Sequence, residues 1–377
     1  MPESRPLKIL QLNSARKYIG EAAHTLNLTE ALRQRGHSVW LGLRKGYDTL
    51  DRAAARKLDP IPFNMPHRWW PPQDAPDMRH IARLVREHNI DLIHAHRGKD
   101  HWQAVLAAKL FRLKIPVIRT RHVVTPLSAN TANRWLAKRT AALVVVSRAV
   151  ETDVSNTGLY TGEGLAFIPG GIDLGLYRPA ITDQKIAARK TISISESAPL
   201  AICVARFAVV KAHRILLAAW KKALETIPEA KLALVGDGLL FEETKALAKT
   251  LGIESSVLFL GRRNDVAELL AAADAGVLAS IGSEGFSRAV LEYMSAGLPV
   301  VGTRVGAVPD LVTPGEHGAL VAPNDELALA AGLVEVLSAS AAQREKWGAA
   351  AREKAERGYG YASWAEAHEK LYARILK

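Results

Sequence analysis

The sequence predicts an α/β protein built from two doubly wound, Rossmann-like domains facing a cleft. Three observations predict it. Short β-branched runs alternate with longer amphipathic stretches along most of the chain, the pattern of parallel strands joined by crossover helices. The pattern runs twice, with the turn-rich Pro169-Gly170-Gly171-Ile172-Asp173 between the two series. A length of 377 residues also suits two domains of about 150 residues each.

In the first series, strands are expected at 8–13, 38–43, 91–96, 116–122, 142–147 and 164–169. Residues 22–35 read as a helix, and Gly36 is its natural C-terminal stop. The second series has strands at 200–206, 231–236, 257–261, 276–280 and 299–303, with helices at 211–226, 242–251 and 288–296. Residues 338–357, rich in Ala, Glu and Lys, read as a plain solvent-exposed helix. The expected divisions are 1–170, 171–357 and a terminal helix at 358–377.

Composition excludes several classes. The apolar share is 48% and mean hydropathy is close to zero, so a core forms and a disordered chain is excluded. No run reaches the roughly 18 apolar residues that a membrane span needs. The first residues carry no apolar signal core, and the lone Cys203 has no partner for an internal disulfide. A cytoplasmic setting is therefore expected.

Charge is uneven. Residues 1–170 hold 26 Lys and Arg against 14 Asp and Glu, whereas 171–377 hold 24 of each. Nine of the twelve histidines also lie in the first part. An excess confined to one domain points to an anionic partner touching that domain. A solvated basic surface is the alternative. His67-Arg68-Trp69-Trp70 and the segments 102–114 and 130–139 place Trp, Phe or Leu among cations, as interfacial segments do. Peripheral contact with an anionic membrane is the expectation, on the inner face of the cytoplasmic membrane.

The richest chemistry lies in Ser280-Ile281-Gly282-Ser283-Glu284-Gly285-Phe286-Ser287, a loop between a strand end and a helix. Gly285 permits close backbone approach, and the helix start offers free N–H groups to an anion such as a diphosphate. Glu284 and Glu292 flank that start. A carboxylate only accepts hydrogen bonds, which suits paired sugar or ribose hydroxyls. Taken alone, Glu284 would cap the helix and Glu292 would face solvent; the loop context turns both toward a ligand. Arg206 ends a strand and Lys211 begins the next helix, so both cations can offset charge growing on a leaving diphosphate. Gly236-Asp237-Gly238 closes a strand without the full dinucleotide fingerprint. Gly261 with Arg262 and Arg263 ends another, where a nucleobase could rest. Gly20 and Glu21 follow the first strand and open a helix. His122 ends the strand bearing Arg119 and Arg121. His94 and His96 are expected to face opposite sides of their strand and to form no metal pair.

These segments resemble the retaining glycosyltransferases of family 4 with the GT-B fold, the group that includes lipopolysaccharide core sugar transferases. The resemblance spans nearly the whole chain. It implies that Glu284 binds donor sugar hydroxyls and Glu292 the ribose, with Gly285, Phe286 and Ser287 near sugar and phosphates. It further implies that Arg206 and Lys211 bind the diphosphate, that His122 lies near the reacting sugar, and that Gly20 belongs to the loop beside donor phosphate and acceptor. Pro169–Asp173 matches the interdomain motif, and residues 361–376, with Trp364 and Tyr372, the last helix that returns to the first domain. The chain departs from the family pattern at Ala212, Gly170, Ser287 and Glu21, where small or polar residues replace the usual ones.

The resulting expectation is an enzyme that moves a sugar from a nucleotide-diphosphate sugar to an anionic glycan or glycolipid, in lipopolysaccharide or other envelope synthesis. No metal and no cofactor are expected. A nucleotide-sugar epimerase of the same fold is the rival within enzymes, and a basic nucleic-acid-binding protein the rival outside them. Nucleic acid is not an expected partner, since no binding motif is present. A nicotinamide dehydrogenase lacks its fingerprint.

Overall fold

A computed structural model describes residues 5–67, 71–282 and 284–377. Arg68, Trp69, Trp70 and Ser283 therefore lie outside the described residues. The chain forms two units, Met1–Gly171 with Tyr361–Lys377, and Ile172–Gly360.

The first unit contains β1 (Lys8–Asn13), β2 (Ser38–Arg44), β3 (Ile61–Phe63), β4 (Leu92–Ala95), β5 (Val117–Arg121), β6 (Ala142–Val145) and β7 (Leu165–Phe167). Among the described residues they make one parallel sheet in the order β3-β2-β1-β4-β5-β6-β7. The order reverses between β1 and β4. In such sheets the crevice beyond the carboxyl ends at the reversal is the natural ligand site. There, the turn after Asn13 leads to the helix Gly20–Gln34, and His96 follows β4.

The second unit repeats the plan with β8 (Leu200–Val204), β9 (Lys231–Val235), β10 (Val257–Gly261), β11 (Ala275–Leu278), β12 (Val300–Thr303) and β13 (Gly318–Val321), ordered β10-β9-β8-β11-β12-β13. Its reversal lies between β8 and β11, whose ends lead to Arg206 and Ser280.

The central strands of both sheets are buried on both faces, as crossover helices require, while the edge strands β7 and β10 are half-buried. The terminal helix Tyr361–Ile375 belongs to the first unit. Its Trp364, Ala365, Leu371 and Tyr372 pack with Leu7, Ile9, Leu28 and Leu32, and Glu369 pairs with Arg35 at 2.6 Å.

Several elements differ from expectation. Strands β3 and β13 were not expected. Both are edge strands of three or four residues, too short to show a period, and β3 contains Pro62, which an edge tolerates. The helix expected to begin at Lys211 begins at His213, because Val209–Lys211 form a separate 3₁₀ turn and Ala212 adopts φ 51°. The helix expected to be plainly solvent-exposed is Ala341–Gly358, and it buries Trp347, Gly348, Ala351 and Ala355. Its charged residues hide a narrow apolar face. Trp102 and Trp135, read as interfacial, are half-buried against the core, with rings stacked at 5.8 Å and 2°. Arg139 and Lys109 lie over Trp135 at 4.2 Å and 5.0 Å. The flanking Lys109, Arg112, Lys114, Arg134, Lys138 and Arg139 are exposed.

Candidate active site

In the second unit Glu284 lies in the loop four residues before the helix Arg288–Ser295, and Glu292 lies in the interior of that helix. Both carboxylates are buried, at 4% and 6% exposure, which removes the reading that Glu292 faces solvent. Glu284 does not cap the helix either; Ser287 holds the N-cap position. Instead Glu284 Oε1 accepts from Ser280 Oγ at 2.6 Å and pairs with the Lys211 ammonium. Glu292 Oε1 accepts from the Tyr177 hydroxyl at 3.0 Å and from Arg288 Nε at 2.8 Å. Burial and the Glu292 charge push the Tyr177 phenol well above its ordinary value, so it stays a hydroxyl donor. A buried carboxylate is tolerated when paired and hydrogen-bonded, and each pair holds its glutamate in a fixed place.

The backbone around Glu284 is equally fixed. Gly306, at φ 51°, comes so close that an added Cβ would lie 1.9 Å from the Glu284 carbonyl oxygen. Ala307 N–H donates to that oxygen at 2.7 Å. Gly285 is buried, Phe286 half-buried, and the buried Ser287 hydroxyl has no hydrogen-bond partner among the described residues. An unsatisfied hydroxyl at a helix N-terminus suits an incoming polar ligand.

Arg206 lies two residues beyond β8, exposed and without an ion pair among the described residues. Gly236, at φ 143°, packs against the preceding residue of that loop, where a Cβ would lie 2.1 Å from the Ala205 carbonyl oxygen. Its glycine character thus positions the Arg206 loop. Gly261 ends β10 at φ 64° with open space beside it. Arg262 reaches Asp237 at 3.9 Å and Arg263 reaches Asp265 at 2.5 Å, both as exposed pairs. Cys203 is buried and its thiol is pushed up to about 12 by burial, which leaves it inert.

In the first unit, His122 lies just past β5 and joins a cluster of histidines. His24 comes from the helix Gly20–Gln34, whose first residue, Gly20, is exposed. Ring centroids lie 4.5 Å apart for His24 and His122 and 5.7 Å apart for His96 and His122. Burial and the Arg119 and Arg97 charges lower His122 to about 3, so its imidazole is neutral at pH 7. His94 and His96 do not face opposite sides: their rings stack at 4.5 Å. Residues two apart on a strand share one face, and His96 lies one residue beyond β4. Arg119 is half-buried, whereas Arg121 pairs with Asp153 at 3.6 Å. Glu21 pairs with Arg97.

The sequence did not single out Tyr177, Gly306, His24 or Gln11. Only the glycine that follows the turn after β12 carried a visible signal. The others are ordinary residues until the fold brings them together.

Two family models cover most of the chain. Residues 20–176 match glycosyltransferase family 4, and 184–354 match glycosyl transferases group 1. The N-acetyl-alpha-D-glucosaminyl L-malate synthase of Bacillus anthracis is 29% identical over 82% of this chain and 81% of its own. An Escherichia coli UDP-Gal:alpha-D-GlcNAc-diphosphoundecaprenol alpha-1,3-galactosyltransferase is 27% identical over 67% of this chain and 68% of its own. The crystal structure of Anabaena HepE in complex with UDP superposes with a TM-score of 0.85 at 22% identity, covering 98% of this chain and all of that one.

Proposed function

We propose, on the premise that this chain belongs to the family 4 glycosyltransferases of the GT-B fold, that it moves a sugar from a nucleotide-diphosphate donor to an anionic glycan or glycolipid with retention of anomeric configuration. The single observation that carries this reading is the pair of buried, fixed carboxylates, Glu284 in the loop before the helix Arg288–Ser295 and Glu292 inside it. Glu292, held by Tyr177 and Arg288, accepts from the ribose hydroxyls. Glu284 accepts from the donor sugar, and the Ser287 hydroxyl with Gly285 and Phe286 lines the path of the diphosphate. Arg206, Lys211 and the helix N-terminus offset the charge that grows as the diphosphate leaves.

The acceptor attacks from the face that the diphosphate leaves, and the departing phosphate oxygen takes the acceptor proton. No protein nucleophile takes part. His122, neutral at pH 7, orients the sugar and does not act as a base. The first unit is the acceptor side. Its basic excess fits an anionic acceptor, and the names of the two relatives described above include L-malate and diphosphoundecaprenol, both anionic. A lipid-linked acceptor also fits a cytoplasmic enzyme held at the membrane by the exposed cations of 109–139. An epimerase or a nucleic-acid binder is not favoured beside two transferase family models.

The test is transfer itself. The protein is screened for stabilisation by UDP, GDP and ADP sugars, since a ligand of the folded state raises its stability by mass action. The best donor is then incubated with lipid-linked and soluble anionic acceptors in EDTA, and product configuration is read by NMR. A product of inverted configuration, or loss of transfer in EDTA with recovery in magnesium, overturns the mechanism.

A further inference from the structure

We propose that His24, His96 and His122 bind one divalent transition-metal ion, with zinc as the fitting case, and that the bound ion inhibits the enzyme. One ligand nitrogen from each of the three lies within 4.8 Å of the others. His96 Nδ1 and His122 Nε2 are 3.4 Å apart, a hydrogen bond between two candidate ligands that a shared ion would replace. Two imidazole nitrogens bound to one tetrahedral zinc, each about 2.0–2.1 Å from it, stand about 3.3 Å apart. The separation already suits a shared ion.

The orientation of His96 supports the same use. Its Nε2 lies 3.1 Å from Gln11 Oε1, an atom that only accepts. The proton is thereby held on Nε2, and the Nδ1 lone pair is left on the His122 side. A hydrogen bond on the far nitrogen is the usual support of a metal-bound imidazole. His94 makes the contrast. It stacks on His96, yet its Nδ1 meets the Tyr372 hydroxyl and its Nε2 meets Thr120 Oγ1, both at 2.7 Å. Both of its nitrogens bond to groups outside the cluster, whereas His96 Nδ1 meets only His122, so His94 is a neighbour and not a ligand.

Three imidazoles on a rigid sheet end and helix suit zinc and leave a fourth position for water or an anion. Arg97 and Arg119 oppose a dication there. Arg97 pairs with Glu21, and the buried Asp100 carboxylate acts favourably on both arginines. The inhibitory part rests on the sugar-orienting role given to His122 above, because a metal-bound imidazole no longer meets the sugar.

Metal-free full-length protein is titrated with zinc against a chromogenic zinc chelator. One site is expected. His24→Leu and His96→Leu each weaken it by about 100-fold or more, Gln11→Leu by about 10-fold, and His94→Gln leaves it within about threefold. Zinc X-ray absorption on the wild type needs no variant and should show about three imidazole nitrogens near 2.0 Å. No binding, fewer than two imidazoles in the shell, or affinity unchanged in both leucine variants overturns the site. Site occupancy without loss of glycosyl transfer instead overturns the inhibitory part and the role of His122.

Discussion

The Lys211 ammonium pairs with the Glu284 carboxylate, and Ser280 donates to the same oxygen. In the proposed mechanism, the cation that would face the departing diphosphate is thus held by the carboxylate that would meet the donor sugar. Lys211→Ala removes both the charge and the clamp. Turnover should fall by about 100-fold or more, the scale for losing one preorganised charge partner. Initial rates at saturating donor check it, and a change below about threefold would discard the assignment.

Glu292→Ala should weaken binding of the nucleoside diphosphate by about 1–3 kcal/mol if the carboxylate meets two ribose hydroxyls. Tyr177→Phe removes one of its donors and should cost less, about 0.5–1.5 kcal/mol. Calorimetric titration with the nucleoside diphosphate alone separates the two. Equal affinity in wild type and Glu292→Ala would place the ribose elsewhere.

Gly306 bears on the site through the Glu284 backbone. Gly306→Ala puts a methyl where the Glu284 carbonyl oxygen stands and strains a backbone at φ 51°. The expected loss is about 2–4 kcal/mol of stability, from the left-handed backbone and from overpacking, together with a fall in turnover. Gly282→Ala is the control, since open space surrounds that position. Urea unfolding of both variants provides the measurement, and matching midpoints would show that the close approach is not required.

His213 supplies a pH test outside the histidine cluster. It stacks on Phe207 at 4.1 Å, and neither ring nitrogen has a hydrogen-bond partner among the described residues. Burial, with the Lys211 charge, lowers it to about 4. Between about pH 6.5 and 4 the unfolded chain binds a proton there that the native state refuses. The neutral ring's stability contribution is therefore present above 6.5 and lost as pH falls, by about 1.4 kcal/mol per pH unit. His213→Phe keeps the stacking and should be nearly neutral at pH 8, yet more stable than wild type by about 2 kcal/mol at pH 5. A constant difference between the two across that range would contradict it.

The exposed cations of the first unit predict vesicle binding. Each Lys or Arg near an anionic leaflet contributes about 1 kcal/mol, and salt screens it. Co-sedimentation with anionic vesicles should fall from low to high salt, and fall further for the triple variant Arg112→Glu, Lys114→Glu, Lys138→Glu. Arg139 is left intact because it stacks on Trp135. Equal recovery with neutral and anionic vesicles at low salt would remove the membrane from the model of action.

The alternation of strand and helix, the doubling of the pattern and the Glu284–Glu292 loop were legible in the sequence by itself. Each depends on local order: a strand buried on both faces needs a continuous apolar run, and a crossover needs an amphipathic helix. The loop glycine and both carboxylates fall within nine consecutive residues, 284–292. Tertiary structure alone decided who holds those groups. Lys211 and Glu284 are 73 positions apart, Tyr177 and Glu292 are 115, and His94 and Tyr372 are 278. No local preference encodes such pairs. The first arises because parallel strands bring the residues after the carboxyl ends of β8 and β11 to one edge of the sheet, and the other two because helices pack a side chain against a distant segment. The same register put His96 and His122, at the ends of neighbouring strands β4 and β5, beside a histidine from the first helix.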